Sequence, residues 1–204
     1  AHRAIANQKV GAGSATIRQL MDADVTIALG TDGISSNDTA RSSDVRRVAG
    51  LIHSVSGPDY KQWIYADEIR KMATINGARS ALLEDITGSL EVGKAADLLI
   101  LDLTTLSFMP LNDVAKHLVY AENGSSIQTV MVAGDIVVNQ GRMCSIDETA
   151  ILAEIRELVP AHLAEHARLE QRNAAFHSTM AEIHRRATSK NIGMNRYVST
   201  PDAR

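Results

Sequence analysis

The stretch with the most chemical content is Val25–Asn37, V-T-I-A-L-G-T-D-G-I-S-S-N. Val, Thr and Ile are β-formers, and the apolar run is too short to show a helical period, so Val25 to Leu29 is expected to be a buried strand. Gly30 and Gly33 bracket Thr31-Asp32 and let the backbone turn sharply there. One carboxylate, Asp32, is thereby delivered to the C-terminal end of a strand, where α/β folds gather ligands and catalytic groups. The same residue also suits the cap of the following helix, and the local sequence leaves both roles open. His2 is the other candidate of this kind: a ligand or proton carrier, or a surface residue near a chain end. Cys144 sits in a turn with no acid–base partner nearby and is not a candidate nucleophile.

The composition narrows the classes available. The chain has 204 residues, 45% of them apolar, enough for a real core in one large domain or two small ones. A net charge of −3 with no basic block argues against a nucleic-acid partner, and 3% aromatic residues argues against base-stacking platforms. The lone Cys144 forbids an internal disulfide and makes a reducing, cytoplasmic setting the default. No apolar run approaches membrane-spanning length, so no membrane partner is expected. The opening A-H-R-A-I-A-N-Q-K-V-G-A-G begins without Met and reads as the middle of something longer.

The elements that must position Asp32 follow from periodicity. His2–Gly13 reads as a polar, Gly-punctuated loop. Ser14 is expected to cap a short helix whose Ile17, Leu20 and Met21 follow i, i+3, i+4 spacing and which Asp22-Ala23-Asp24 ends. A helix feeding directly into the Val25 strand is the α/β unit of a parallel sheet. Ser36-Asn37-Asp38 then offers caps for a helix from about Thr39 to Ser54, with Val45, Val48, Ala49 and Ile52 inward and Arg41, Arg46 and Arg47 as the solvated face. Ala66–Thr74 is a further helix, and Asn76-Gly77 gives a kink or stop. From Gly88 the character changes. A strand is expected from Asp97 to Leu101, a short helix over Asn112–Ala121, and a hairpin of Ile127–Ala133 and Ile136–Asn139 joined by a Gly134-Asp135 turn, with a further turn at Gln140-Gly141. Asp147 caps a long helical stretch to about Ala187. Ile151, Ile155, Leu158, Leu169, Phe176, Met180 and Ile183 form its stripe, broken by His162, His166 and Asn173; Pro160 is expected to kink it or start it anew. The stripe is too long for a small domain to bury, so a subunit contact is expected. The tail from Thr188 is polar and expected to be adaptable.

The run G-T-D-G-I-S-S-N-D resembles the metal-dependent amidohydrolase superfamily, and within it the branch of adenosine-type and guanine deaminases and triazine chlorohydrolases. H-R-A-I-A-N-Q-K-V-G-A-G is similar to a degenerate form of that branch's H-C-P-x-S-N-x-x-L-G-x-G loop. M-A-T-I-N-G-A-R-S-A-L, G-S-L-E-V-G-K-A-A-D-L-L-I-L-D-L, K-H-L-V-Y-A-E-N-G and V-M-V-A-G-D-I-V-V-N-Q-G-R follow in the branch's order, so the resemblance covers roughly residues 1–143. It implies an α/β fold: the C-terminal part of a (β/α)8 barrel (residues 1–87), a β-sandwich portion (88–146) and a C-terminal helical extension (147–204). It also implies that Asp32 ligates a Zn²⁺ or Fe²⁺ ion and takes a proton from metal-bound water, that Ser36 and His2 bind a small heterocyclic substrate, and that His2 lies near the pocket. Arg3 and Ala4 replace the Cys and Pro of the pattern.

The implied reaction is deamination of an N-heterocycle by metal-activated water, with triazine-type dehalogenation as the alternative. The branch's His-x-His is absent from the sequence, and a catalytic zinc wants about three protein ligands. A full barrel needs about 250 residues. The chain is therefore expected to be a portion of a longer enzyme, inactive alone, with a non-catalytic interaction module on a vestigial half-barrel as the rival. One rival metal motif exists. His162-Leu-Ala-Glu165-His166 matches the H-x-x-E-H of inverted zinc peptidases, but in a helix rich in His, Glu and Ala it reads better as a polar face or interface. His53, His117, His177 and His184 read as ordinary helix residues.

Overall fold

The computed structural model describes residues 1–55 and 57–190. It divides into one unit over Ala1–Cys144 and a second that begins at Ser145. No helix among the described residues is long and apolar enough to cross a membrane.

In the first unit, α1 (Ala4–Lys9), α2 (Ile17–Asp22), α3 (Ile34–Asn37), α4 (Ser42–Ile52), α5 (Ala66–Met72) and α6 (Ile75–Ser80) precede a small sheet. The core is built from Ala4, Ile17, Ile27, Ala49, Ile69 and Met72, closed by Val119 from a π-helical turn over His117–Ala121 that follows α7 (Val114–Lys116). The expected inner stripe of α4 is present: Val45 and Ala49 are buried and Val48 packs on the core. Arg18 clips α2 to α5. Its guanidinium donates to Glu68 Oε2 at 2.8 Å and to the Trp63 carbonyl at 2.8 Å, while the same Glu68 oxygen accepts the Tyr65 N–H at the start of α5.

Several local expectations are corrected. The loop His2–Gly13 contains α1, whose buried positions Ala4 and Ala6 are too small to mark a period. Ser14 does not cap α2; the helix starts after Thr16, with no side-chain cap. Residues 34–37 form a helical turn of their own. Thr39 is left to organise the start of α4, accepting the Arg41 N–H and donating to Asp44 Oδ2 at 2.9 Å. Arg46 is not on a solvated face. It is half-buried, its Nε has no hydrogen-bond partner among the described residues, and burial lowers its pKa against the pull of the buried Glu122.

The sheet is antiparallel in the order β1 (Leu98–Leu101), β2 (Ile127–Val132), β3 (Asp135–Asn139), β4 (Arg142–Met143). Its hairpin turn is Ala133-Gly134, with φ of 51° and 91°, because Val132 pairs with Asp135. The expected Gly134-Asp135 turn is thus one residue out of register. Two left-handed residues in succession match the twist of the flanking strands. Gln140-Gly141 repeats the device, with φ of 47° and 72°. Asp97 anchors the hairpin: Oδ1 accepts the Ala133 N–H at 2.7 Å and Oδ2 the Thr87 hydroxyl at 2.6 Å, and these bonds hold its carboxyl below the usual range.

The second unit is helical. Asp147 Oδ1 accepts the Ala150 N–H at 3.0 Å, the expected cap, and α8 runs unbroken over Glu148–Asn173. Pro160 lies inside it and does not restart it. The interruption comes at Ala174–Phe176, a 3₁₀ turn, after which α9 covers His177–Ser189. The tail beyond residue 190 lies outside the described residues.

Candidate active site

The Val25–Leu29 segment is extended, with Ile27 and Ala28 buried, but it is not a laddered strand. Only Leu29 pairs, in a single parallel bridge to His2. The His2 N–H donates to the Ala28 carbonyl at 2.6 Å, and the Gly30 N–H donates to the His2 carbonyl at 3.1 Å. On the other edge, Leu29 N–H donates to the Met72 carbonyl, and Asn76 Nδ2 donates to the Ile27 carbonyl at 3.0 Å. Helix atoms occupy the side where a further strand would lengthen the ladder. The bridge is nonetheless a parallel crossover through α1 and α2, and it sets the ends of two extended segments side by side.

Asp32 lies just beyond that bridge, at φ 65°. Oδ2 accepts from Arg3 Nη1 at 2.9 Å, with the two side chains 51% and 35% exposed. Lys9, farther along α1, reaches Asp38 Oδ1 and the Ser35 carbonyl. Two cations of the first segment thus hold the loop that carries Asp32. Ser36 lies within this loop, and its hydroxyl donates to the Gly33 carbonyl at 3.0 Å. Asn37 is 2% exposed; its Nδ2 donates to the Thr39 carbonyl, while Oδ1 is buried without a partner among the described residues.

His2 is no surface residue. It is 4% exposed, and its Nε2 stands 3.1 Å from Nε2 of His53, itself buried at the end of α4. Burial first, then the neighbouring His53, lowers the His2 pKa to about 4. Burial and Arg18 lower that of His53. His53 was not legible as a partner: it lies 51 residues from His2, and no spacing links them. Arg3 was visible only as a departure from the family pattern.

Among the described residues, no group of three or more His, Cys, Asp and Glu side chains is placed to hold a metal ion. Asp32 offers one ligand where a catalytic zinc wants about three, so these residues alone do not fit the ion. The rival motif is not assembled either. Glu165 is engaged by Arg168 through two bonds of 2.8 and 2.7 Å, and His166 lies 3.7 Å from Glu170. Cys144 is exposed, and its thiol lies 4.0 Å from the Arg142 carbonyl oxygen.

The profile of the Amidohydrolase family matches residues 1–137. A 5-methylthioadenosine/S-adenosylhomocysteine deaminase of Moorella thermoacetica is 38% identical over 156 residues, 76% of this chain and 36% of that protein. A 5'-deoxyadenosine deaminase of Methanosarcina acetivorans is 34% identical over 155 residues, 76% of this chain and 35% of that protein. Among solved structures, a zinc-bound adenosine deaminase from Xanthomonas campestris superposes with a TM-score of 0.75 at 31% identity, covering 78% of this chain and 36% of that one. A zinc complex of atrazine chlorohydrolase from Arthrobacter aurescens gives 0.72 at 30% identity, covering 76% and 34%. The chain thus spans about a third of the length of the relatives it matches. Over those residues it shares the fold of these amidohydrolase neighbours, and it belongs to the amidohydrolase family.

Proposed function

We propose that this chain is the C-terminal portion of a metal-dependent aminohydrolase that deaminates a small N-heterocycle. Residues 1–87 contribute to the barrel, 88–146 to an attached β-sandwich, and 147–204 form a helical extension. In this reading Asp32 is one metal ligand and a proton carrier, the remaining ligands come from outside the described residues, and Ser36 contacts substrate. His2 is the second substrate-side residue, its Nε2 held against His53 and its Nδ1 without a partner among the described residues. A zinc ion at such a centre supplies a water that ionises near neutral pH. A cytoplasmic setting accords with the single exposed thiol.

The observation that carries the reading is the parallel bridge between His2 and Leu29. It brings the G-T-D-G loop and the His2 loop together at one end of adjacent extended segments, where barrel enzymes keep their catalytic groups. The deaminases among the relatives favour C–N cleavage. The likeness to the chlorohydrolase makes dehalogenation of a triazine the second reading.

The test is ammonia release from an adenosine-type nucleoside by the intact protein that carries this chain, with zinc content measured in wild type and Asp32→Asn. Turnover with about one zinc per chain, both lost in Asp32→Asn, is the expected result. Metal retained in Asp32→Asn would overturn the assignment of Asp32. Chloride release from a chlorotriazine without ammonia from any nucleoside would favour the second reading.

A further inference from the structure

Within the second unit the apolar stripe on α8 and α9 is exposed. Ile151, Ile155, Leu158, Phe176, Met180 and Ile183 are each between 44% and 61% exposed. A helix cannot bury its own apolar face, and this one lies beyond residues 1–137, which the family profile matches.

Two features of the stripe say what covers it. The first is charge. Residues 147–167 carry five acidic side chains and one basic, whereas residues 168–190 carry five basic and two acidic. A parallel pair would set acid against acid at one end and base against base at the other. An antiparallel pair sets each acidic half on a basic half. The second is the order of apolar and polar positions, which is self-complementary when reversed. With a two-fold axis near residue 167, Ile151 faces Ile183 of the second copy, Ile155 faces Met180, and Leu158 faces Phe176. The polar interruptions also meet: His162 falls opposite Asn173, and both can hydrogen-bond. Only the central His166–Leu169 layer is mixed. Every such contact occurs twice, as an isologous interface requires.

We propose that the C-terminal helix is an antiparallel pairing surface for a second copy of this chain. The test is sedimentation equilibrium together with a spin-label distance. The chain is expected to be dimeric at tens of micromolar, and the Ile155→Glu/Phe176→Glu variant monomeric, its dissociation constant raised at least 100-fold. Labels at Thr149→Cys, in a Cys144→Ser background, are expected about 50 Å apart, since the site facing residue 149 lies some 36 residues along the other helix at about 1.5 Å each. Labels within about 20 Å would mean a parallel pair and overturn the proposal. So would a monomeric wild type, whether free or bound to phospholipid vesicles through the stripe, or a dimer that survives the double substitution.

Discussion

His2 and His53 face each other through Nε2 atoms 3.1 Å apart, in a part of the molecule where both rings are all but shut off from water. At that separation one ring donates a proton and the other accepts it, so the contact holds when the two together carry no net charge, while His2 Nδ1 is buried with no hydrogen-bond partner among the described residues. A second bound proton would set two donors against each other in a medium that solvates them poorly.

Stability is therefore expected to depend on pH through this pair. The fold holds the His2 pKa at about 4, against 6.5 for an ordinary histidine. Below pH 6.5 the unfolded chain takes up a proton that the fold refuses. The stabilising contribution is thus full above about pH 6.5 and is lost as the pH falls toward 4, by roughly 3 kcal/mol in all. Urea midpoints at pH 7.5, 5.5 and 4.5 in wild type and His2→Gln check this. The gap between the two proteins should narrow as the pH falls, and a constant gap would refute it.

Asp32 combines a left-handed backbone with a partly exposed ion pair to Arg3, and the two features predict different substitutions. Asn tolerates φ near 65°, whereas a β-branched residue there costs about 1–2 kcal/mol. Loss of an exposed ion pair costs under about 1 kcal/mol. Asp32→Asn should therefore melt within a few degrees of wild type and Asp32→Val clearly lower. If calorimetry bears this out, any activity lost in Asp32→Asn reports chemistry and not unfolding.

The hairpin offers a stabilising change. Ala133 occupies the first left-handed position of its turn, at φ 51°, where its Cβ is crowded. Ala133→Asn keeps the backbone N–H that bonds to Asp97 and places a residue suited to that conformation. A gain of about 0.5–1 kcal/mol is expected, read as a rise in melting temperature. A fall would mean that the new side chain meets something in that turn.

What was legible in the sequence, and what was not, divides along physical lines. α4, α5 and α8 carry bulky residues at helical spacing, and Asp147 sits where a cap belongs, so these elements declare themselves locally. α1 did not, because Ala4 and Ala6 bury almost no side chain to betray a period. The turn at Ala133-Gly134 was misplaced because glycine and aspartate next to each other look like the better turn, whereas the cross-strand pairing of Val132 with Asp135 decides the register. Asp32 was legible as a carboxylate in a glycine-bracketed turn after an apolar run. Its contact with Arg3, and that of His2 with His53, join segments distant in the chain, and only the packed fold brings them together.

Gly88, where the character of the sequence changes, is predicted to be among the least replaceable positions. Its φ is 90°, and a Cβ built on it would lie 2.7 Å from the Ala78 Cβ and 3.1 Å from the Ile75 Cα. Neither neighbour is the end of a flexible side chain: both belong to α6, against which the chain folds back before entering the sheet. Overpacking of this kind costs about 1–3 kcal/mol and the left-handed backbone about 1–2 more, so Gly88→Ala should lose roughly 2–5 kcal/mol. Gly124→Ala separates the two causes, since Gly124 has φ 101° with nothing within 4 Å of its added Cβ. Chemical denaturation should place Gly124→Ala between wild type and Gly88→Ala. Equal losses would mean that α6 yields to the new methyl group, and that backbone conformation alone keeps glycine at position 88.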